Sequence, residues 1–299
     1  MRLTVESSSS LRFGDGSPVR AASAIAPLGD GWLVVQDDAT HAAWWRPDSI
    51  TAVRVVESVD GLEVFSSAAG TKHRKPDFEA ACALPVAGEP GVLLLGSGST
   101  RARMRASLVT LGPAGPASTV ADLQPLYRRI VAALGVREDQ LNLEGACLVG
   151  DRLRWFQRGN AGAPTACVDV DAAALLAAMT GAGTADQVEV GTVRRYDLGT
   201  AGGVPLAATD AAALPDGRVL VSAAAEDTPN AVDDGPVVGA ALALLDDRVV
   251  LAIAALPTPE KVEGLAVRQT LTDGVRLLAV VDADDPDAAS QQLSLRLHW

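Results

Sequence analysis

Five oxygen-bearing side chains, Ser23, Glu79, Glu144, Thr209 and Glu263, open five short segments of one kind along this chain of 299 residues. The segments are Ser-Ala-Ile-Ala-Pro-Leu at 23–28, Glu-Ala-Ala-Cys-Ala-Leu at 79–84, Glu-Gly-Ala-Cys-Leu-Val at 144–149, Thr-Asp-Ala-Ala-Ala-Leu at 209–214 and Glu-Gly-Leu-Ala-Val-Arg at 263–268. Three carboxylates brought together repel and stay ionised only when a cation sits among them. An all-oxygen set with no convergent His or Cys selects a hard ion. Calcium, which accepts about six to eight oxygens in irregular geometry, fits better than magnesium. The competing reading is structural: the same side chains cap strand ends or hydrogen-bond adjacent repeats.

Spacing is what would bring them together. Successive first positions lie 56, 65, 65 and 54 residues apart, and the path from Glu263 through the C-terminus round to Ser23 is 59. Three of the segments reach an aspartate seven residues on, at Asp30, Asp151 and Asp216. A repeat that closes at its own period is a ring, and a ring of β units is a propeller whose equivalent residues face one another around the axis. The fold expected is therefore all-β: a five-bladed β-propeller with four strands per blade, forming a single domain over 1–299.

Within each repeat, strand A reads Ala- and Gly-rich, as crowding at an axis demands. Strand B reads as a continuous apolar run, at 32–35, 92–95, 153–156, 219–221 and 277–281, as expected between neighbouring blades. The last repeat offers three strands, at 262–267, 275–282 and 292–299. Its fourth is expected from 2–6, which would zip the ring shut. Two stretches, 123–136 and 172–179, carry helical spacing and read as insertions.

The net charge of −12 argues against a nucleic-acid or anionic-membrane partner, because phosphate surfaces need the opposite field. No signal-peptide core or membrane-length apolar run is found, and Cys82, Cys147 and Cys167 read as buried reduced thiols, so a cytoplasmic protein is expected. The Asp282–Asp287 run lacks the central Gly and terminal Glu of a calcium loop and reads as a solvated turn. Gly202-Gly203 lacks the context of a phosphate loop.

Basic residues gather where a propeller's top loops fall: Lys72-His73-Arg74-Lys75 before Glu79, then Arg101, Arg103 and Arg105, then Arg158 and Asn160, and Lys261 before Glu263. Lys75, Arg158 and Lys261 are the expected contacts for a small anionic ligand over the metal. Salt bridges to Asp37, Asp38, Asp77 and Asp227 are the alternative for each. His41 and His73 are further acid–base candidates.

The Ser-Glu-Glu-Thr-Glu order resembles that of the calcium-activated nucleotidases (the apyrase family), five-bladed propellers whose central calcium is held by a Ser-Glu-Glu-Ser-Glu series. The stretch Glu144-Gly-Ala-Cys-Leu-Val-Gly-Asp-Arg-Leu-Arg-Trp-Phe is the nearest local likeness. The Glu-Gly segments also resemble those of bacterial phytase-like and esterase-like propellers. The resemblance implies Ser23, Glu79, Glu144, Thr209 and Glu263 as calcium ligands, with threonine keeping the hydroxyl of the family's serine. The function expected is a calcium-binding propeller, a metal-dependent hydrolase of a small phosphorylated or ester substrate at the channel mouth. The alternative is a non-catalytic ligand- or protein-binding propeller with structural calcium.

Overall fold

A computed structural model describes residues 1–159, 163–227, 235–282, 285 and 288–299. Asn160 and four of the six residues of the 282–287 run lie outside the described residues.

Strand β1 (Arg2–Ser10) comes first. Blade 1 follows as β2 (Ala22–Leu28), β3 (Gly31–Gln36), β4 (His41–Arg46) and β5 (Ser49–Arg54). Blade 2 is β6 (Phe78–Val86), β7 (Glu89–Gly96), β8 (Arg105–Gly112) and β9 (Gly115–Asp122). After helix α1 (Gln124–Leu134), blade 3 is β10 (Leu143–Val149), β11 (Arg152–Gln157), β12 (Ala166–Asp171), helix α2 (Ala172–Thr180) and β13 (Val190–Arg195). A small hairpin, β14 (Thr200–Ala201) and β15 (Val204–Pro205), turns on Gly202 and Gly203. Blade 4 is β16 (Ala207–Ala213), β17 (Val219–Glu226), β18 (Val237–Leu245) and β19 (Val250–Ala255). Blade 5 takes β20 (Val262–Leu271), β21 (Gly274–Val281) and β22 (Gln291–His298), and β1 completes it in the order β1-β22-β21-β20.

These are five antiparallel four-stranded blades, closed as expected by the N-terminal strand, which runs four residues further than its sequence pattern suggests. The innermost strands pack in the order β2, β6, β10, β16, β20 and back to β2. Each of the five blade interfaces has its own apolar cluster. The largest lies between blades 2 and 3, where the two helices sit: Leu126, Tyr127, Ile130 and Leu134 of α1 are buried, and Tyr127 meets Trp155 edge-on at 5.0 Å. The three cysteines are free and buried; burial pushes Cys82 up to about 12 and Cys167 up to about 11, which makes them inert. Among the described residues no helix is long and apolar enough to cross a membrane.

The inner strands share one irregularity, and it falls on the repeat position. In β2, Ala22 and Ala24 face consecutive partners, so Ser23 is left unpaired in a bulge. Glu79, Thr209 and Glu263 are skipped in the same way in β6, β16 and β20. In β10 the skipped residue is Gly145, immediately after Glu144. A bulge sharpens the local twist and re-aims a side chain. Gly145 also has φ +60°, and a Cβ there would lie 2.6 Å from Asp210 Cα on the next inner strand. At Gly264 it would lie 2.8 Å from Ala24 C. The Glu-Gly pairs thus mark where a bulged strand meets its neighbour's backbone.

Candidate functional site

The inner strands begin at one face of the ring, and the β5–β6, β7–β8 and other connections that return to that face wall a cavity of about 720 Å³. Of the eight residues singled out in the sequence, Ser23, Glu79, Glu144, Glu263, Lys75, Arg158 and Lys261 all line it. Thr209, 1 % exposed, does not. His73 lines the cavity as well, whereas His41 does not; it sits on β4 beside Phe13, and burial lowers its pKa.

The two hydroxyls of the ring bond neighbouring blades. Ser23 Oγ donates to Phe78 O at 2.7 Å, and Thr209 Oγ1 donates to Val262 O at 2.5 Å. In both cases the acceptor is the residue just before the next blade's repeat position. These bonds tie blade 1 to blade 2 and blade 4 to blade 5.

The carboxylates and cations form two networks. On one side, Lys75 Nζ contacts Asp37, lies 2.7 Å from Asp77 Oδ1 and 3.7 Å from Glu79 Oε1, and Arg103 lies 3.0 Å from Asp77 Oδ2. Ser97 Oγ also donates to Asp77. On the other side runs an alternating chain. Glu144 meets Arg158 at 2.9 Å, Arg158 meets Glu226 at 2.7 Å, Glu226 meets Lys261 at 2.8 Å and Lys261 meets Glu263 at 2.7 Å. Asn142 Nδ2 donates to Glu144 Oε1 at 2.8 Å, while Glu144 Oε2 is buried with no hydrogen-bond partner among the described residues. The expected anion contacts Lys75, Arg158 and Lys261 are thus all engaged by carboxylates.

Each network sets three carboxylates against two cations, so two negative charges are left over. The pKa values show where that imbalance is felt. Burial raises Glu79 well above the usual range, and Asp37, Asp77 and Glu144 add to it against the pull of Lys75. Burial and then Glu144 push Glu263 up to about 7, despite Lys261 and Arg158. Burial also raises Glu144. By contrast Asp77 and Glu226, each facing two cations, are held low although burial opposes it. Burial works against the charges of Lys75, Arg158 and Lys261 too, but their carboxylates outweigh it and raise all three. Beside this centre Asp38, paired with Arg20 at 2.9 Å, is pushed up to about 6 by burial and by Asp37.

Among the described residues, the acidic set whose ligand atoms lie within 4.8 Å of one another is Asp37, Asp77 and Glu79, rather than the three ring glutamates. The reason is visible in the networks, since Glu144 and Glu263 are drawn towards Arg158 and Lys261. Sequence reasoning saw Asp37 and Asp77 only as countercharges and missed Glu226 and Asp210. Glu226 ends β17, so blade 4 supplies its carboxylate to the mouth from its second strand while Thr209 stands at the repeat position. Asp210, one step after Thr209, accepts from Leu265 N at 2.6 Å across the blade 4–5 interface, and burial raises its pKa well above the usual range.

This arrangement defines a propeller with a charged, carboxylate-rich channel mouth. The description "Family of unknown function (DUF6910)" fits residues 71–286, and the chain belongs to that family. No curated protein matches the chain in sequence. Among solved structures it is similar to a protein of unknown function from Dyadobacter fermentans DSM 18053, at 8 % identity and TM-score 0.46, over 99 % of both chains. It is also similar to a protein provisionally described as a gluconolactonase, at 12 % identity and TM-score 0.40, over 90 % of this chain and 73 % of that one. A third is the subtype N10 neuraminidase-like protein of A/little yellow-shouldered bat/Guatemala/060/2010, at 12 % identity and TM-score 0.32, over 67 % of this chain. This chain spans about half, 51 %, of that protein.

Proposed function

We propose that the chain is a calcium-binding propeller whose ion is held at the channel mouth, where it serves hydrolysis of a small phosphorylated or ester substrate. The observation that carries this reading is the surplus of two carboxylates in a buried centre, with Glu144 Oε2 left without a partner. A divalent cation answers that surplus in full, and an oxygen-only, irregular donor set suits calcium. The ligands are Asp37, Asp77, Glu79 and Glu144. The other ring members form the frame around it: Ser23 Oγ and Thr209 Oγ1 donate to the backbone of the next blade, and Glu263 pairs with Lys261. The ring order, which resembles that of the calcium-activated nucleotidases with Thr209 in place of a serine, points the same way.

When bound, calcium supplies a Lewis acid that polarises a phosphoryl or carbonyl oxygen. Glu263, with its carboxyl near 7, has the proton affinity of a general acid or base at neutral pH and lines the same cavity. The ligand is a small anion, and the acidic balance of the chain disfavours nucleic acid or a membrane as partner. A second reading, a non-catalytic binding propeller, is favoured by one observation: Lys75, Arg158 and Lys261 are saturated by carboxylates, leaving none of the three free for a substrate anion.

Calorimetric titration should give about one calcium per chain, with Glu144→Gln weakening it. A nucleoside diphosphate, an aryl phosphate or an aryl ester should then be hydrolysed only with calcium present. No calcium binding would remove the reading, and binding without turnover on any of the three would leave the binding propeller.

A further inference from the structure

We propose an oxyanion-binding pocket beside the axial chamber, one that receives the anionic group of a small ligand whose other end reaches the channel mouth. The second half of that statement rests on the mouth being a ligand site; the pocket itself does not. The pocket is a cavity of about 380 Å³ lined among others by Ser99, Thr100, Arg101, Gln124, Arg128 and Glu138. Ser99 and Thr100 line the axial chamber as well, so the two cavities share a wall.

The charges of this pocket are arranged unlike those of the mouth. Every cation at the centre of the mouth is spent on carboxylates: Lys75, Arg103, Arg158 and Lys261 each have at least one within 3.0 Å. Arg101 and Arg128 have neither an ion pair nor a side-chain hydrogen bond among the described residues. One acid that could have answered them, Asp139, is closed by Arg137 through two bonds of 2.8 Å. Glu138 remains, so the pocket holds two guanidinium groups against one free carboxylate.

The shared wall is firmly braced. Arg103 Nη1 donates to Ser99 Oγ at 2.9 Å while pairing with Asp77 at 3.0 Å. A residue of the acidic cluster therefore holds the loop that carries Ser99, Thr100 and Arg101. Two free guanidinium groups beside the Thr100 hydroxyl are the donors that recognise a phosphate or a carboxylate, because the planar fork matches both geometries. The neighbouring Glu138 disfavours highly charged anions and can accept from a ligand hydroxyl or amine.

The test uses phenyl phosphate and benzoate as probes, titrated calorimetrically into the full chain in chelator and again in calcium. Wild type should bind at least one of them in chelator; which one binds tells phosphate from carboxylate as the natural group. Arg101→Gln and Arg128→Gln should each weaken that binding about tenfold, since each removes charge-assisted hydrogen bonds. The double variant should bind neither probe and should keep the calcium affinity of wild type. Both side chains are exposed, so the variants report binding rather than folding. If neither probe binds wild type in either buffer, or if the double variant binds as wild type does, the pocket is not an anion site. Binding that needs calcium and survives the double variant places the anion on the ion, which overturns the pocket and leaves the calcium reading intact. Binding in chelator by a protein that takes up no calcium upholds the pocket and overturns the calcium reading.

Discussion

Replacing Lys75 by methionine preserves most of the side chain's length and apolar stem and removes one charge. In the folded protein that charge lies against Asp37, Asp77 and Glu79, all of them substantially or fully buried. Without it three carboxylates face one another, with Arg103 left on Asp77 alone. Removing one partner of a buried pair costs about 3–5 kcal/mol. Unfolding entropy of about 2.1 cal/mol/K per residue makes each kcal/mol worth about 1.6 °C for this chain. In chelator, Lys75→Met should therefore melt about 5–8 °C below wild type.

Calcium then separates the explanations. On the calcium reading, the ion in wild type takes oxygens that the Lys75 ammonium already holds. In the variant it meets no competitor. At a concentration one hundred times its Kd, calcium adds about 2.7 kcal/mol, which is about 4 °C. If the variant binds tenfold tighter, the same concentration adds about 1.4 kcal/mol more, or about 2 °C. Scanning calorimetry of both proteins, in chelator and in calcium, should thus show a larger calcium-induced rise for Lys75→Met than for wild type. A rise no larger than wild type's would mean that ion and ammonium do not share these oxygens, and the placement at Asp37, Asp77 and Glu79 would be wrong.

Two further outcomes bear on the frame and on the charge balance. Gly145→Ala combines a left-handed backbone, about 1–2 kcal/mol, with a clash against the Asp210 backbone, about 1–3 kcal/mol. Gly150→Ala, at φ +64° with open space around it, carries only the first, so in urea unfolding Gly145→Ala should lie about 1–3 kcal/mol lower; equal losses would refute the close approach of β10 and β16. For Glu263, raised from its ordinary 4.5 to about 7, the folded state holds a proton that the unfolded chain releases, so stability falls as pH rises through that window. The loss is on the order of 3 kcal/mol by pH 8, and in chelator Glu263→Gln should show a flatter fall in melting temperature between pH 4.5 and 8 than wild type. Parallel profiles would mean Glu263 is ionised throughout.

The ring was legible because its evidence is periodic. Ser23, Glu79, Glu144, Thr209 and Glu263 recur at one interval, the apolar runs such as 92–95 and 219–221 fall where second strands must be buried on both faces, and the circle closes through the N-terminus. Periodicity reports whatever is repeated, and each blade repeats its inner strand. The bulges were not legible, since a bulge changes hydrogen-bond register without demanding a residue type; only the Gly of Glu144-Gly145 and Glu263-Gly264 betrays the close backbone behind it. The hairpin of β14 and β15 went unseen because two residues per strand carry no alternation.

The charges of the mouth follow a different rule, and this explains where sequence reasoning about the site stopped. Equivalence around a ring tells which side chains point to the axis, but their partners come from connections that do not repeat. Lys75 and Asp77 belong to the long path from β5 to β6, Arg158 follows β11, Lys261 precedes β20, and Glu226 closes β17. Three convergent glutamates read alone call for a metal. Read with those five neighbours they are largely neutralised by the chain itself, and what the proposed ion would answer is the remainder: one carboxylate too many on each side of the axis. Under that proposal the ion is better sought where acidic oxygens crowd most closely, at Asp37, Asp77 and Glu79, together with the unpartnered oxygen of Glu144, than at the geometric centre of the five repeat positions. Glu79 and Glu144 belong to both descriptions: Glu79 is the repeat position of blade 2 and a member of the tight acidic cluster, and Glu144 is the repeat position of blade 3 with an unpartnered oxygen.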